Sequence, residues 1–114
     1  MNEREGRAVL LERFRAAGVE IVEDVWIEVD GAPQVKVELD GWDAAKKVGY
    51  EYVTTEAGDR VQFDARAIAA LEGAMTRGEL FVLLIDEHEA VEDRELQHAA
   101  DGFLAALRAR GVLA

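Results

Sequence analysis

Val25-Trp26-Ile27-Glu28-Val29-Asp30-Gly31-Ala32-Pro33-Gln34-Val35-Lys36-Val37-Glu38-Leu39-Asp40 is the stretch on which the fold turns. Val25, Ile27 and Val29 alternate with Trp26, Glu28 and Asp30, and Val35, Val37 and Leu39 alternate with Gln34, Lys36, Glu38 and Asp40. A period of two is that of a strand with one buried face. Asp30-Gly31-Ala32-Pro33 between the two runs is turn chemistry, so the pair reads as an antiparallel hairpin.

Beyond the hairpin, Gly41 to Lys47 reads as a polar loop. The run Val48 to Thr54, with Tyr50, Tyr52 and Val53, has the aromatic and β-branched content that suits a pleated surface. A third strand is expected there, ended by Thr55 to Asp59. Before the hairpin, Glu3 to Ala17 carries Leu10, Phe14 and Ala17 at helical spacing, with Gly18 as its stop. Asp64 is an N-cap for a second helix with Ile68, Leu71 and Met75 on one face and Gly78 as its end. Leu80 to Ile85 is a continuous apolar run of strand length, expected inside the sheet and buried on both faces. A last helix opens at Glu92 or Asp93, carries Leu96, Ala100, Phe103 and Leu107, and closes at Gly111. The expected fold is α+β in the order α-β-β-β-α-β-α: one mixed four-stranded sheet with helices packed on it, a single domain over residues 1–114.

Composition narrows the chemistry. With 50% hydrophobic and 32% charged residues and one proline, the 114-residue chain has the balance of a packed domain. It has no cysteine and no serine, which excludes disulfides, thiolate metal sites and serine or cysteine nucleophiles; Thr54, Thr55 and Thr76 are the hydroxyls left beside tyrosine. Neither a leader-like apolar stretch nor a membrane-length run is visible, and a cytoplasmic location with no membrane is the expectation. A net charge of −11 disfavours nucleic acid and favours a basic protein partner. The first segment is locally near neutral, because Arg4, Arg7, Arg13 and Arg15 offset Glu3, Glu5 and Glu12.

Two carboxylates stand out. Asp40 ends the second strand and Glu51 sits in mid-strand between two tyrosines, where a carboxylate needs a partner, a metal or a raised pKa. If the second and third strands are neighbours, the two approach each other and form a hard-oxygen pair suited to Mg²⁺ or Mn²⁺. The bland reading of the same residues is that Asp40-Gly41 starts a turn and that Glu51 faces solvent. Asp86-Glu87-His88-Glu89 is a second acidic group, read as a solvated loop and helix start rather than a metal site. His98 reads as a surface residue.

With Asp40 in Leu39-Asp40-Gly41 and Glu51 in Tyr50-Glu51-Tyr52-Val53, residues 3 to 86 resemble the PD-(D/E)XK restriction-endonuclease-like fold. The resemblance implies an α-β-β-β-α-β core and a metal-dependent phosphodiesterase with Asp40 and Glu51 as catalytic and metal-binding residues. It departs at the motif lysine, whose place holds Val53; Lys36, on the Asp40 face by parity, is the substitute.

Two functions follow. The first is a non-enzymatic interaction or accessory module without cofactor, binding a protein partner of basic character through Trp26 and Trp42, which fall off the core pattern. Helix packing that buries both tryptophans is the competing reading. The second is the nuclease-like enzyme with Asp40, Glu51 and Lys36 or Glu38 and a Mg²⁺ or Mn²⁺ ion. A homodimer through the tryptophans or the hairpin edge is a third arrangement.

Overall fold

The computed structural model describes residues 2–30, 34–53, 64–88 and 92–114. Its elements are α1 (Glu3–Ala16), β1 (Val22–Val29), β2 (Val35–Asp43), β3 (Val48–Val53), α2 (Ala65–Thr76), β4 (Phe81–Asp86) and α3 (Asp93–Ala109). The order is the expected one, and the strands form one mixed sheet in the order β1-β2-β3-β4. β1, β2 and β3 are successively antiparallel, and β3 and β4 are parallel, joined by a crossover that contains α2. The Gly31-Ala32-Pro33 turn and the Thr55–Asp59 strand end lie outside the described residues.

Helix boundaries follow side-chain chemistry. Asn2 caps α1 by accepting from the Glu5 N–H at 2.9 Å, and Asp64 caps α2 by accepting from Ala67 at 2.9 Å. Gly18, Gly78 and Gly111, the expected stops, all have positive φ.

The helices cover both faces of the sheet. Leu10 and Phe14 of α1 and Leu96, Ala100, Leu104 and Leu107 of α3 share one cluster with Val48, Tyr50, Tyr52 and Ile85. Ala67, Leu71 and Ala74 of α2 share the other with Val29, Val35, Val37, Leu39, Trp42 and Val82. In α2 the buried stripe runs through alanines, while Ile68 and Met75 are half-buried, because small residues let the helix approach the sheet closely. Phe103 is half-buried and stacks on Phe14 at a centroid distance of 5.9 Å, and Leu104 takes the fully buried place beside it.

Three expectations are corrected. Gly41-Trp42-Asp43 belongs to β2 and not to a loop, since it pairs with Val48, Gly49 and Tyr50. Among the described residues β4 is the outermost strand on the β3 side, and its apolar run is largely buried because helices pack on both faces rather than because strands flank it. Trp42 is 5% exposed and lies in the α2-side cluster, so it is a core residue. Gly49 makes room for it: a Cβ there would lie 2.7 Å from Trp42 Cε3 and would also strike the Gly41 carbonyl oxygen.

The alternation that reveals the hairpin breaks at Asp40. Leu39 packs in the α2-side cluster, yet a Cβ on Gly41 would meet Tyr50 and Ile21 of the opposite cluster. In an unbroken pleat residues 39 and 41 share a face. The register does not slip, since Val25 pairs with Leu39 and Glu23 with Gly41. The chain twists without an inserted residue, and Asp24, between those two pairs on β1, has φ 56°.

Candidate functional site: a buried carboxylate pair held by an arginine

At the twist the Asp40 side chain enters the plane of the sheet. Its Oδ2 accepts the Tyr52 N–H at 2.8 Å, and Glu51 Oε1 accepts the Asp40 N–H at 2.8 Å. The paired positions Gly41↔Tyr50 and Trp42↔Gly49 run up to this point, and the carboxylates then take over the bonds between β2 and β3. Two carboxylates thus act as a reciprocal clasp between strands, each satisfying a buried backbone donor of the strand opposite.

Arg7 reaches this clasp from α1. Its Nε lies 3.6 Å from Asp40 Oδ1, and its Nη2 lies 2.8 Å from Asp24 Oδ1 and 3.4 Å from Glu23 Oε2. Burial works against the guanidinium charge, but Asp40, Asp24 and Glu23 outweigh it and hold Arg7 more firmly protonated than usual. Gly6, one residue earlier, is what lets the helix come this close: a Cβ there would lie 2.9 Å from the Tyr52 ring. The positive charge and the close helix therefore come from adjacent residues of α1.

Burial pushes the Asp40 carboxyl up to about 6, against the Tyr52 N–H, Arg7 and a hydrogen bond with the Glu51 side chain, which all lower it. Asp43 behaves oppositely. Burial again works upward, but the N–H groups of Lys46, Glu20 and Ala45 and the Lys46 ammonium hold its pKa below the ordinary value. It accepts from Glu20 at 2.8 Å and from Lys46 at 3.0 Å, closing the β2–β3 turn and tying it to the segment before β1.

Asp40 and Glu51 therefore converge as the sequence suggests, but Glu51 is 2% exposed and faces no solvent. Lys36 does not join them. It is four residues before Asp40, about 13 Å along an extended strand, and its Nζ pairs with Glu28 at 3.5 Å on the surface. Val53, at the position of the motif lysine, is buried. Glu38 is half-buried. In the second acidic group, Asp86 Oδ1 accepts the His88 N–H at 2.9 Å as a loop-forming contact, and Glu89 lies outside the described residues, as do Thr54 and Thr55. His98 is exposed on α3. Among the described residues no group of three or more His, Cys, Asp or Glu side chains is placed to hold a metal ion.

Sequence reasoning missed Arg7 and Asp43. The signal for Arg7 is its place next to Gly6 on the helix that covers two tyrosines; for Asp43 it is an acidic residue preceding a tight turn with two lysines.

A different surface lies at the other side of the sheet. Trp26 is 58% and Val22 63% exposed, the large hydrophobics left exposed among the described residues, and both are on β1. As the first strand in the order, β1 has a strand neighbour on one side, among the described residues. Comparison with known proteins finds no family model, no curated protein and no solved structure that matches the chain. Among the described residues no helix is long and apolar enough to cross a membrane.

Proposed function

We propose that this chain is a non-enzymatic interaction module that binds a basic protein partner on the β1 side of its sheet. The observation that carries this reading is the exposure of Trp26 and Val22 on the first strand of the sheet in a chain of net charge −11, beside Glu23 and Asp24, which share Arg7, and Glu28, which pairs with Lys36. An exposed aromatic rimmed by charge is the composition of a binding surface, and a field of one sign steers an opposite partner onto it. The test is affinity capture with the wild type against Trp26→Ser and Glu28→Lys. A basic protein retained by the wild type and lost by both variants is expected; retention that neither variant changes overturns the reading.

The second reading, a nuclease-like phosphodiesterase of the PD-(D/E)XK type, is favoured by one observation: Asp40 and Glu51 meet across β2 and β3 with Arg7 beside them. Against it, an oxygen of each carboxylate already accepts a backbone N–H, and both groups are nearly inaccessible. A hard divalent cation needs several oxygens free to approach it. Calorimetric titration of Mg²⁺ and Mn²⁺ into the wild type and into the Asp40→Asn, Glu51→Gln double variant separates the two. No metal-dependent heat is expected from either protein; heat from the wild type alone would put the enzyme first.

A further inference from the structure

We infer that the end of the molecule where α1 and α3 stop is a docking face for a second copy of this chain, which sets against it the acidic end where the same two helices begin.

The two helices run parallel. Arg13 of α1 donates to Gln97 of α3 at 2.7 Å and lies 3.8 Å from Asp101, and further along both helices Ala16 and Ala17 share a cleft with Leu104 and Arg108. Both C-terminal ends therefore lie at one end of the molecule and both N-terminal ends at the other. The sequence charges each end as a helix dipole favours. Glu3 and Glu5 stand in the first turn of α1 and Asp93 and Glu95 in that of α3, while Arg13, Arg15 and Arg108 stand in the last turns.

The rest of the fold adds to the same ends. Arg110 lies over the Phe81 ring at 4.9 Å, and Phe81 donates its N–H to the Lys47 carbonyl at 2.8 Å. Arg15 donates to the Ile21 carbonyl at 3.2 Å, next to Glu20, whose N–H reaches the Asp43 carboxylate that pairs with Lys46. Six of the chain's 13 lysines and arginines thus gather at one end of a chain of net charge −11. Arg13 and Lys46 have Asp101 and Asp43 as partners. Arg15, Lys47, Arg108 and Arg110 are exposed, and among the described residues no carboxylate pairs with them.

At the opposite end, burial raises the Tyr52 hydroxyl pKa, and the charges of Glu87, Asp86, Glu3 and Glu5 raise it further, which places the end of β4 beside the start of α1. Glu5, Glu92, Asp93 and Glu95 are exposed there and have no ion-pair partner among the described residues.

Charge selects the occupant. Two basic ends or two acidic ends repel, whereas a basic end on an acidic end joins two sets of unpaired, opposite charges. The net charge does not forbid the contact. At physiological salt the Debye length is about 8 Å, and the 17 residues of α3 span about 25 Å, so only the facing ends interact strongly. A nucleic acid would meet the same four cations but would run its phosphates past the acidic remainder of the surface.

The experiment is sedimentation equilibrium of the full chain up to about 1 mM, the range in which contacts made by exposed ion pairs become visible. The mass should rise past twice the 12.6 kDa of one chain, because each added copy leaves an end free, and should fall back as salt is raised. Two double variants follow, Lys47→Glu with Arg108→Glu and Glu92→Lys with Glu95→Lys. Each alone should stay monomeric, since its two ends then carry one sign, and an equimolar mixture should associate as the wild type does. Recovery in the mixture also shows that both variants are folded. Trp26→Ser should leave the association unchanged, which separates this contact from the surface proposed above. A mass that stops at the dimer, association that either double variant retains alone, loss in Trp26→Ser, or a mixture of variants folded by circular dichroism that does not recover overturns the inference. So does a wild type that stays monomeric, whether or not it binds a short oligonucleotide through Lys47 and Arg108.

Discussion

Asp40 and Asp43 stand three residues apart on β2, both nearly closed to solvent, and their surroundings drive them in opposite directions. Asp43 sits at a turn where backbone N–H groups converge, which is how a chain end or turn solvates an anion without water. Asp40 sits in the middle of the sheet, where one backbone N–H and one shared arginine must do the same work beside a second carboxyl group. The difference teaches that burial alone does not decide the charge of a carboxylate; the number of donors aimed at it does. Asp43 is an ordinary structural anion. Asp40 is pushed up to about 6 by burial, which the Tyr52 N–H, the shared Arg7 and the Glu51 hydrogen bond only partly offset.

The largest effect that would break this comparison is Asp40→Ala. The substitution leaves the buried Tyr52 N–H without its acceptor and Arg7 with one carboxylate fewer. Removal of one member of a buried charged network costs about 3–5 kcal/mol, which chemical denaturation should read as a large drop in midpoint. A loss within about 1 kcal/mol would show that the clasp is not what joins β2 to β3 at this point.

A somewhat smaller effect sharpens the same contrast through pH. The folded-state pKa of Asp40 is about 6, above the ordinary 3.8, so between those values the folded chain holds a proton that the unfolded chain has released. Stability therefore falls as pH rises from about 4 to 6, by up to about 3 kcal/mol for this group alone. Asp43 has the reverse sign: its folded pKa is lowered, so its contribution is full above the ordinary value and is lost as pH falls through the folded one. Denaturation midpoints of Asp40→Asn against wild type across this range should differ by a slope that flattens in the variant. Parallel curves would mean that Asp40 is charged throughout. Asp43→Ala comes next, at about 2 kcal/mol for a buried acceptor that closes a turn.

Most of the fold was legible because periodicity reports burial on one face. The alternation of Val25, Ile27 and Val29 and the stripe of Leu10 and Phe14 state which side meets the core, and helix ends were legible in Asp64, Gly18 and Gly111. Burial of Trp42 was legible only as one of two open readings, because periodicity assumes an unbroken pleat and the twist at Asp40 moves its ring to the α2 side, into space that Gly49 leaves open. Parity also promised Lys36 to Asp40, but a shared face says nothing of distance along the strand. The meeting of Asp40 with Glu51 was legible as a neighbourhood; its form was not, because side chain to backbone bonds across strands leave no spacing signal. Arg7 was illegible as a partner, since it stands 33 residues from Asp40 in the chain and the approach of α1 to the sheet depends on Gly6 meeting the Tyr52 ring.

The smallest effect concerns Lys36, and its smallness is its use. The Lys36–Glu28 pair is exposed on both sides, 70% and 53% for the two side chains, at 3.5 Å. Ion pairs of that kind contribute under about 1 kcal/mol, and salt screens them further. Lys36→Met should therefore change the denaturation midpoint by an amount close to error and leave the pH slope of Asp40 intact. An altered slope would place the Lys36 charge within electrical reach of the carboxylate pair, and with it the arrangement that the nuclease-like reading requires. An unaltered slope leaves Arg7 as the cation that Asp40 feels, and a cation locked between Asp24 and Asp40 is an element of the fold before it is an element of any chemistry.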